Sequence, residues 1–192
     1  MSEFKPNVNA LRNQALLFAT IAHGNQVRKG NEHIPYIFHP VDVANEVIYY
    51  SGLPIPEMEI ASIIAILHDT VEDTAVTVEN IHEQFGKAIA DGVAALCKCD
   101  TVLERDEHSK LQQLKESLGR IKTSPRYVQV VKLADRVSNL KVFPSMWGRT
   151  KISNYLDEAA LIAHELVGAS EGLHARLVSR IAEARVMLLL LS

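Results

Sequence analysis

Residues 66–73 read Ile66-Leu67-His68-Asp69-Thr70-Val71-Glu72-Asp73. His68 and Asp69 are neighbours of the residue types that bind divalent transition metals. Glu72 and Asp73 follow about one helical turn later. If one helix runs through all four, Glu72 stands four residues from His68 and Asp73 four from Asp69, so each pair shares a face. Such a face can carry a metal ion and a carboxylate pair that moves protons. Alone, a His-Asp pair at a helix end reads first as a cap or a surface hydrogen bond, and a carboxylate pair as a solvated acidic turn. Two other stretches bear on the choice. Phe38-His39-Pro40 supplies a second imidazole, and Lys132-Leu133-Ala134-Asp135-Arg136 supplies an Asp after the mostly apolar run 128–134. Burying Asp135 without a partner is costly. A metal is one partner, and Arg136 or a neighbouring Lys is another.

The elements that must position these groups read as helices. The stripe Leu11, Ala15, Phe18, Ala19 and Ala22 predicts a first helix over 8–22. Residues 23–38 lose that period, and Gly24, Gly30, Asn31 and Pro35 mark a long loop or a short hairpin. A loop of that length in a compact protein is often functional. Further helices are predicted over about 40–51 with Pro40 first, 57–69, 78–85 capped by Thr77, 87–98, 109–119 ending at Gly119, 126–141, 151–167 and 171–190. The charged stretch 100–108 reads as a loop or frayed helix end, and Phe143 to Gly148 as a break. No internal repeat or βαβ pattern is present. The predicted architecture is an all-α multi-helix bundle with a small β-hairpin near 27–38. It is read as one domain over 1–192, with a core at about 8–170 and a C-terminal helix at about 171–190.

Composition narrows the class. The 192 residues are 47% hydrophobic and 22% charged, which suits a globular protein with a sizeable core. A net charge of -3 argues against broad nucleic-acid binding. Cys97 and Cys99 are too few for a disulfide framework and read as free thiols in a reducing compartment. The N-terminus has no apolar signal core, and the tail 186–191 is too short to span a bilayer. A cytoplasmic protein is expected, with no membrane partner; self-association is left open.

The order His39, His68-Asp69, Asp135 resembles the HD superfamily of metal-dependent phosphohydrolases. A longer set of motifs is more specific: Ala22-His23-Gly24-Asn25-Gln26-Val27-Arg28-Lys29-Gly30, Pro35-Tyr36-Ile37-Phe38-His39-Pro40, Leu67-His68-Asp69-Thr70-Val71-Glu72-Asp73-Thr74, and Val131-Lys132-Leu133-Ala134-Asp135-Arg136 with Asn139. In order over about residues 10–170, these are similar to the hydrolase domain of the RelA/SpoT homologue family. The resemblance implies an HD-domain fold and an enzyme that splits guanosine 3′,5′-bis(diphosphate) (ppGpp, and pppGpp) into GDP (or GTP) and pyrophosphate. It implies a small alarmone hydrolase without a synthetase domain, and Mn²⁺ held by His39, His68, Asp69 and Asp135. Glu72 and Asp73 match the family's catalytic acids, with Glu72 favoured for the direct role. Arg28 and Lys29 match its nucleotide-contacting pair, Asn139 a residue near the ribose, and Tyr155 a phosphate-facing position.

The chemistry suits the assignment. A divalent metal acidifies water and neutralises charge on a phosphoryl oxygen. An Arg plane stacks on a purine, and a Lys offers a point charge to phosphate. Lys151, with Lys132, Arg136, Lys141 and Arg149, is a further cation available to the pyrophosphate. Val142 and Ser145 depart from longer family members. His23 reads as a loop anchor, and His33, His82, His108, His164 and His174 as surface or core residues. The same site could instead remove the 2′-phosphate of NADPH or act on other nucleotides. A binding module without turnover is a third reading, disfavoured because every expected residue is present.

Overall fold

The computed structural model describes residues 8–97 and 107–190; Cys99 and most of the charged stretch 100–108 fall outside them. The described chain is helical apart from one hairpin, as the apolar periodicity predicts. Helix α1 (Val8–His23) leads into strands β1 (Val27–Arg28) and β2 (Asn31–Pro35), which pair antiparallel. Then follow α2 (Phe38–Tyr50), α3 (Ile55–Leu67), α4 (Thr70–Asp73), α5 (Val78–Phe85) and α6 (Lys87–Leu96). After the undescribed segment come α7 (Glu107–Thr123), α8 (Arg126–Asn139), α9 (Arg149–Glu165) and α10 (Glu171–Leu190).

Helix α3 is the central post. Every residue from Ala61 to Leu67 is buried, and the helix packs against α1, α2, α6 and α8. Ile63, Ile64 and Leu67 are fully enclosed, each contributing about 1.5–3 kcal/mol of apolar burial. Helix α8 crosses beside it with all residues from Val130 to Ser138 buried. Helix α10 packs on α8, α9 and α2. Gly172 allows the close approach to α2, because a Cβ there would lie 2.5 Å from the Tyr50 carbonyl oxygen.

Local signals account for most boundaries. Thr77 and Asn80 form a reciprocal capping box at α5, each side chain bonding the other's backbone N–H. Two expectations need correction. Helix α7 does not end at Gly119 but continues to Thr123. Glycine weakens a helix interior by about 1 kcal/mol, which the burial of Leu118 and Ile121 offsets. Helix α2 starts at Phe38, two residues before Pro40. Proline is tolerated there because the first four N–H groups of a helix have no intrahelical acceptor.

Candidate active site

The site gathers at the inner end of α3. The helix stops at Leu67, and His68 and Asp69 form a turn before α4. The single helix through residue 73 on which the i, i+4 pairing depends is therefore interrupted at the two residues of chemical interest. Side chains close the break. His68 Nδ1–H donates to the Ala65 carbonyl at 2.8 Å, and the Thr70 hydroxyl donates to the Leu67 carbonyl at 2.7 Å. Both satisfy carbonyls orphaned at a helix C-terminus. The winding persists, since Asp73 N–H still bonds Asp69 O at 2.9 Å.

Three chain segments converge here. His39 comes from the first turn of α2, entered through a turn in which its N–H bonds the Tyr36 carbonyl. Asp135 comes from α8. His39, His68 and Asp135 are buried, and each offers a ligand atom within 4.8 Å of the others. His39 Nε2 lies 3.3 Å from Asp135 Oδ1 and 3.6 Å from Asp69 Oδ2. His68 Nε2 lies 3.1 Å from Asp69 Oδ1 and 3.7 Å from Asp135 Oδ1. Asp69 stands beside this three-residue cluster, with one carboxylate oxygen near each imidazole.

The donor set fits a divalent cation. A backbone carbonyl can only accept, so His68 carries its proton on Nδ1, and its Nε2 is a buried atom with no hydrogen-bond partner. That nitrogen faces two carboxylates, an arrangement that is repulsive until a proton or a metal stands between them. Without metal, burial opposes a charged His68, but Asp69 and Asp135 outweigh it and raise its pKa well above the ordinary histidine value. Burial likewise works to raise Asp69 and Asp135. The imidazoles hold Asp69 below the usual carboxylate range, and Lys132 with the imidazoles does the same for Asp135. Lys132 Nζ sits 3.2 Å from Asp135 Oδ2, so the Asp has a lysine partner as well as the metal face.

Beside this cluster opens a cavity of about 1160 Å³. The hairpin forms one wall and residues 138–147 the other. Arg28, Lys29, Asn139 and Tyr155 line it, together with Asp73. Arg28 Nη2 donates to Asn139 Oδ1 at 3.1 Å, and Asn139 Nδ2 donates to Asp135 Oδ1 at 2.6 Å, tying cavity wall to metal cluster. Phe143, Trp147 and Tyr155 form an aromatic group at the far wall, with ring centroids 5.1–6.5 Å apart. Lys151 is not brought into the lining; its Nζ lies 4.6 Å over the Trp147 ring. Lys141 does line the cavity but is held by Asp42 and Glu46, while Arg136 stacks on Tyr155 and reaches Glu158. Glu72 is half-buried on α4 and does not line the cavity.

Three residues without a role in the sequence reading prove central. The Tyr36 hydroxyl donates to Asp69 Oδ2 at 2.6 Å and lies 3.2 Å from Asp73 Oδ2, bridging a predicted metal ligand and a predicted acid. Burial and then Asp69 push the Tyr36 pKa far up, so it stays a neutral donor. Ser138 and Asp42 stand behind His39. A signal for Tyr36 was its place three residues before His39. His23 serves as the expected anchor: Nδ1 meets Gln26 Oε1 at 2.9 Å, and Gln26 Nε2 donates to the Asp73 carbonyl at 2.7 Å. His33, read as a surface or core residue, is exposed and also lines the cavity.

Residues 15–162 match the family model described as HD domain. The chain belongs to the HD-domain family. This HD-domain protein is 30% identical over 164 residues to the guanosine-3′,5′-bis(diphosphate) 3′-pyrophosphohydrolase MESH1 of Mus musculus, covering 83% of this chain and 87% of that one. It is 29% identical to the enzyme of the same name from Danio rerio, covering 89% and 92%. It is also 36% identical over 150 residues to the GTP pyrophosphokinase rsh of Brucella ovis, covering 76% of this chain. The chain spans about a fifth of the length of that relative. Among solved structures, a metazoan ortholog of SpoT that hydrolyses ppGpp superposes with a TM-score of 0.78 at 24% identity, over 93% of this chain and 96% of that one. The HD-domain fold and the kinship with RelA/SpoT-type hydrolases expected from the motifs are therefore upheld. Among the described residues, no helix is long and apolar enough to cross a membrane.

Proposed function

We propose that the protein is a Mn²⁺-dependent 3′-pyrophosphohydrolase acting on ppGpp and pppGpp. The observation that carries this is the paired imidazole Nε2 atoms facing Asp69 and Asp135 beside a cavity lined by Arg28 and Lys29. The mouse and zebrafish relatives, matched over most of their length, are named guanosine-3′,5′-bis(diphosphate) 3′-pyrophosphohydrolases, which supports the ppGpp part of this reading. His39, His68, Asp69 and Asp135 are the residues that would hold the ion. Bound there, a divalent metal supplies Lewis acidity to water and to a phosphoryl oxygen.

The chain's own residues do the rest. Asp73 lines the cavity and is oriented by Tyr36, so its carboxylate is placed to take a proton from the attacking water. Glu72, one residue earlier on the same turn, shares the acid role. Arg28, fixed by Asn139, presents a guanidinium plane to the purine, and Lys29 offers an exposed charge to phosphate. Asn139 marks the ribose side, and Tyr155 closes the far wall. Lys151 acts from outside the cavity lining, through Trp147.

The test is a nucleotide panel of ppGpp, pppGpp, NADPH and nucleoside mono- and triphosphates, run with Mn²⁺ and with chelator. Pyrophosphate released from ppGpp only with metal is expected. Glu72→Ala and Asp73→Ala should each lower the rate about 10²–10⁴-fold, the usual contribution of acid–base groups. Phosphate release from NADPH without pyrophosphate from ppGpp would overturn the reading.

A further inference from the structure

Helices α2 and α8 meet where a polar line runs outward from the buried His39 through half-buried Asp42 and Lys141. His39 Nδ1 lies 3.1 Å from Ser138 Oγ, and the Ser138 hydroxyl donates to Asp42 Oδ2 at 2.6 Å. Lys141 Nζ donates to both Asp42 oxygens, at 2.6 and 2.8 Å, and reaches Glu46 Oε1 at 2.8 Å. Arg176 of α10 completes the line with two bonds to Glu46, at 2.8 and 3.0 Å. His39, Asp42 and Glu46 stand at i, i+3 and i+7 of α2, on one face. His39, Glu46 and Ser138 are all buried.

The protons along this line have one consistent arrangement. Asp42, paired with Lys141, is a carboxylate and can only accept. The Ser138 hydrogen therefore points to Asp42, and Ser138 Oγ is left to accept from His39. Nδ1 must then carry the proton, and Nε2 turns its lone pair toward Asp135 and Asp69. His68 reaches the same tautomer through a backbone carbonyl, which no substitution can remove. His39 depends on two side chains.

We propose that Ser138 and Asp42 are positioning residues that hold His39 in the Nδ1–H tautomer, making Nε2 the ligand atom for the metal. Lys141 then belongs to this line: it holds Asp42 in place, with its charge already engaged by two carboxylates, and is not a pyrophosphate contact. Arg176 fixes the outer end, so α10 buttresses a ligand it never touches. This inference rests on the reading of His39 as a metal ligand.

Calorimetric Mn²⁺ titration of the metal-free full chain tests it, with melting temperatures recorded alongside. Ser138→Ala and Asp42→Asn should weaken Mn²⁺ binding about 10–100-fold, the usual effect of losing a partner behind a ligating His. The Asn amide can donate to Ser138 and turn its hydroxyl toward Nδ1, which favours the wrong tautomer. Ser138→Thr keeps the hydroxyl and should stay close to wild type. In Zn²⁺-loaded protein, ¹⁵N spectra of labelled histidine should show a protonated Nδ1 on His39. Wild-type affinity in both Ser138→Ala and Asp42→Asn, loss in Ser138→Thr equal to that in Ser138→Ala, or an unprotonated Nδ1 would each overturn the proposal. If Ser138→Ala fails to fold, Asp42→Asn and Ser138→Thr still decide it. A wild-type chain that binds no Mn²⁺, or a His39→Ala variant that binds it equally well, would instead overturn the metal-site reading itself.

Discussion

Gly30 sits at the tip of the hairpin with φ +85°, pressed against the opposite wall of the cavity. A Cβ there would lie 2.7 Å from Pro144 Cα and 2.8 Å from Pro144 Cβ. Ordinary carbon–carbon contact is about 3.5–4.0 Å, so Gly30→Ala forces the walls apart by about 0.8 Å or more. Two costs add. An alanine in a left-handed conformation costs about 1–2 kcal/mol, and overpacking costs about 1–3 kcal/mol. The sum is about 2–5 kcal/mol. Gly52 separates them: its φ is +63°, and an added Cβ meets nothing within 4 Å. Gly52→Ala should therefore show only the backbone part, about 1–2 kcal/mol. Urea unfolding of the metal-free variants measures both by linear extrapolation. Because the walls part while His39, His68, Asp69 and Asp135 stay on their own segments, Gly30→Ala should raise KM for ppGpp and leave Mn²⁺ affinity unchanged. A Gly30→Ala variant within about 0.5 kcal/mol of Gly52→Ala, with unchanged KM, would refute the reasoning; surface changes without such a contact stay inside that margin.

Other outcomes follow from the charges. In the metal-free protein His68 has a raised pKa, so its stabilising contribution is full below the unfolded value of about 6.5 and is lost as pH rises through the folded value. Asp135 is lowered, so its contribution is present above about 3.9 and is lost as pH falls through the folded value. Metal-free protein should thus melt at lower temperature at pH 8 than at pH 6, and Mn²⁺ should reverse the trend by displacing the proton; thermal melts with chelator that rise over this interval would contradict it. Tyr36→Phe removes the 2.6 Å bond to Asp69, and kcat should fall about tenfold, the equivalent of a charged hydrogen bond of about 1.5 kcal/mol; steady-state kinetics with ppGpp at saturating Mn²⁺ would show it. Lys132→Met strips Asp135 of its buried cation and should cost about 3 kcal/mol without metal and clearly less with it. Paired unfolding curves that show the same loss in both states would exclude that compensation.

The legible parts of the sequence were those set by local pattern. The Thr77 capping box, the apolar stripe of α1 and the glycines of the hairpin are signals within a few residues of one another, and the structure follows them. The four candidate ligands were named from order and type, and the structure gathers His39, His68 and Asp135 with Asp69 beside them. The break at His68–Asp69 was not legible, because His68 keeps helical angles and the change falls on the Asp69 dihedrals, φ -95° and ψ -7°, and on the hydrogen bonds, which no residue type marks. Gly119 misled because packing by its neighbours outweighs its intrinsic cost. The roles of Tyr36, Asp42 and Ser138 depend on contacts 33 to 99 residues apart, which no local period encodes. Lys141 and Arg136 looked free for a phosphate because their acidic partners lie on other helices.

The enclosure of α3 has a consequence in time as well as in space. Amides exchange with solvent when their segment opens, and buried segments open least often. Ala61 to Leu67, wrapped by four helices, should be among the last amides to exchange deuterium, while the hairpin at the cavity edge exchanges early. His68 hangs from the slow segment, and Arg28 and Lys29 ride on the fast one. Under the proposed function, the ion-holding and nucleotide-contacting groups should thus keep different clocks, so that one cavity wall can open to admit a ligand without loosening the post that carries the chemistry.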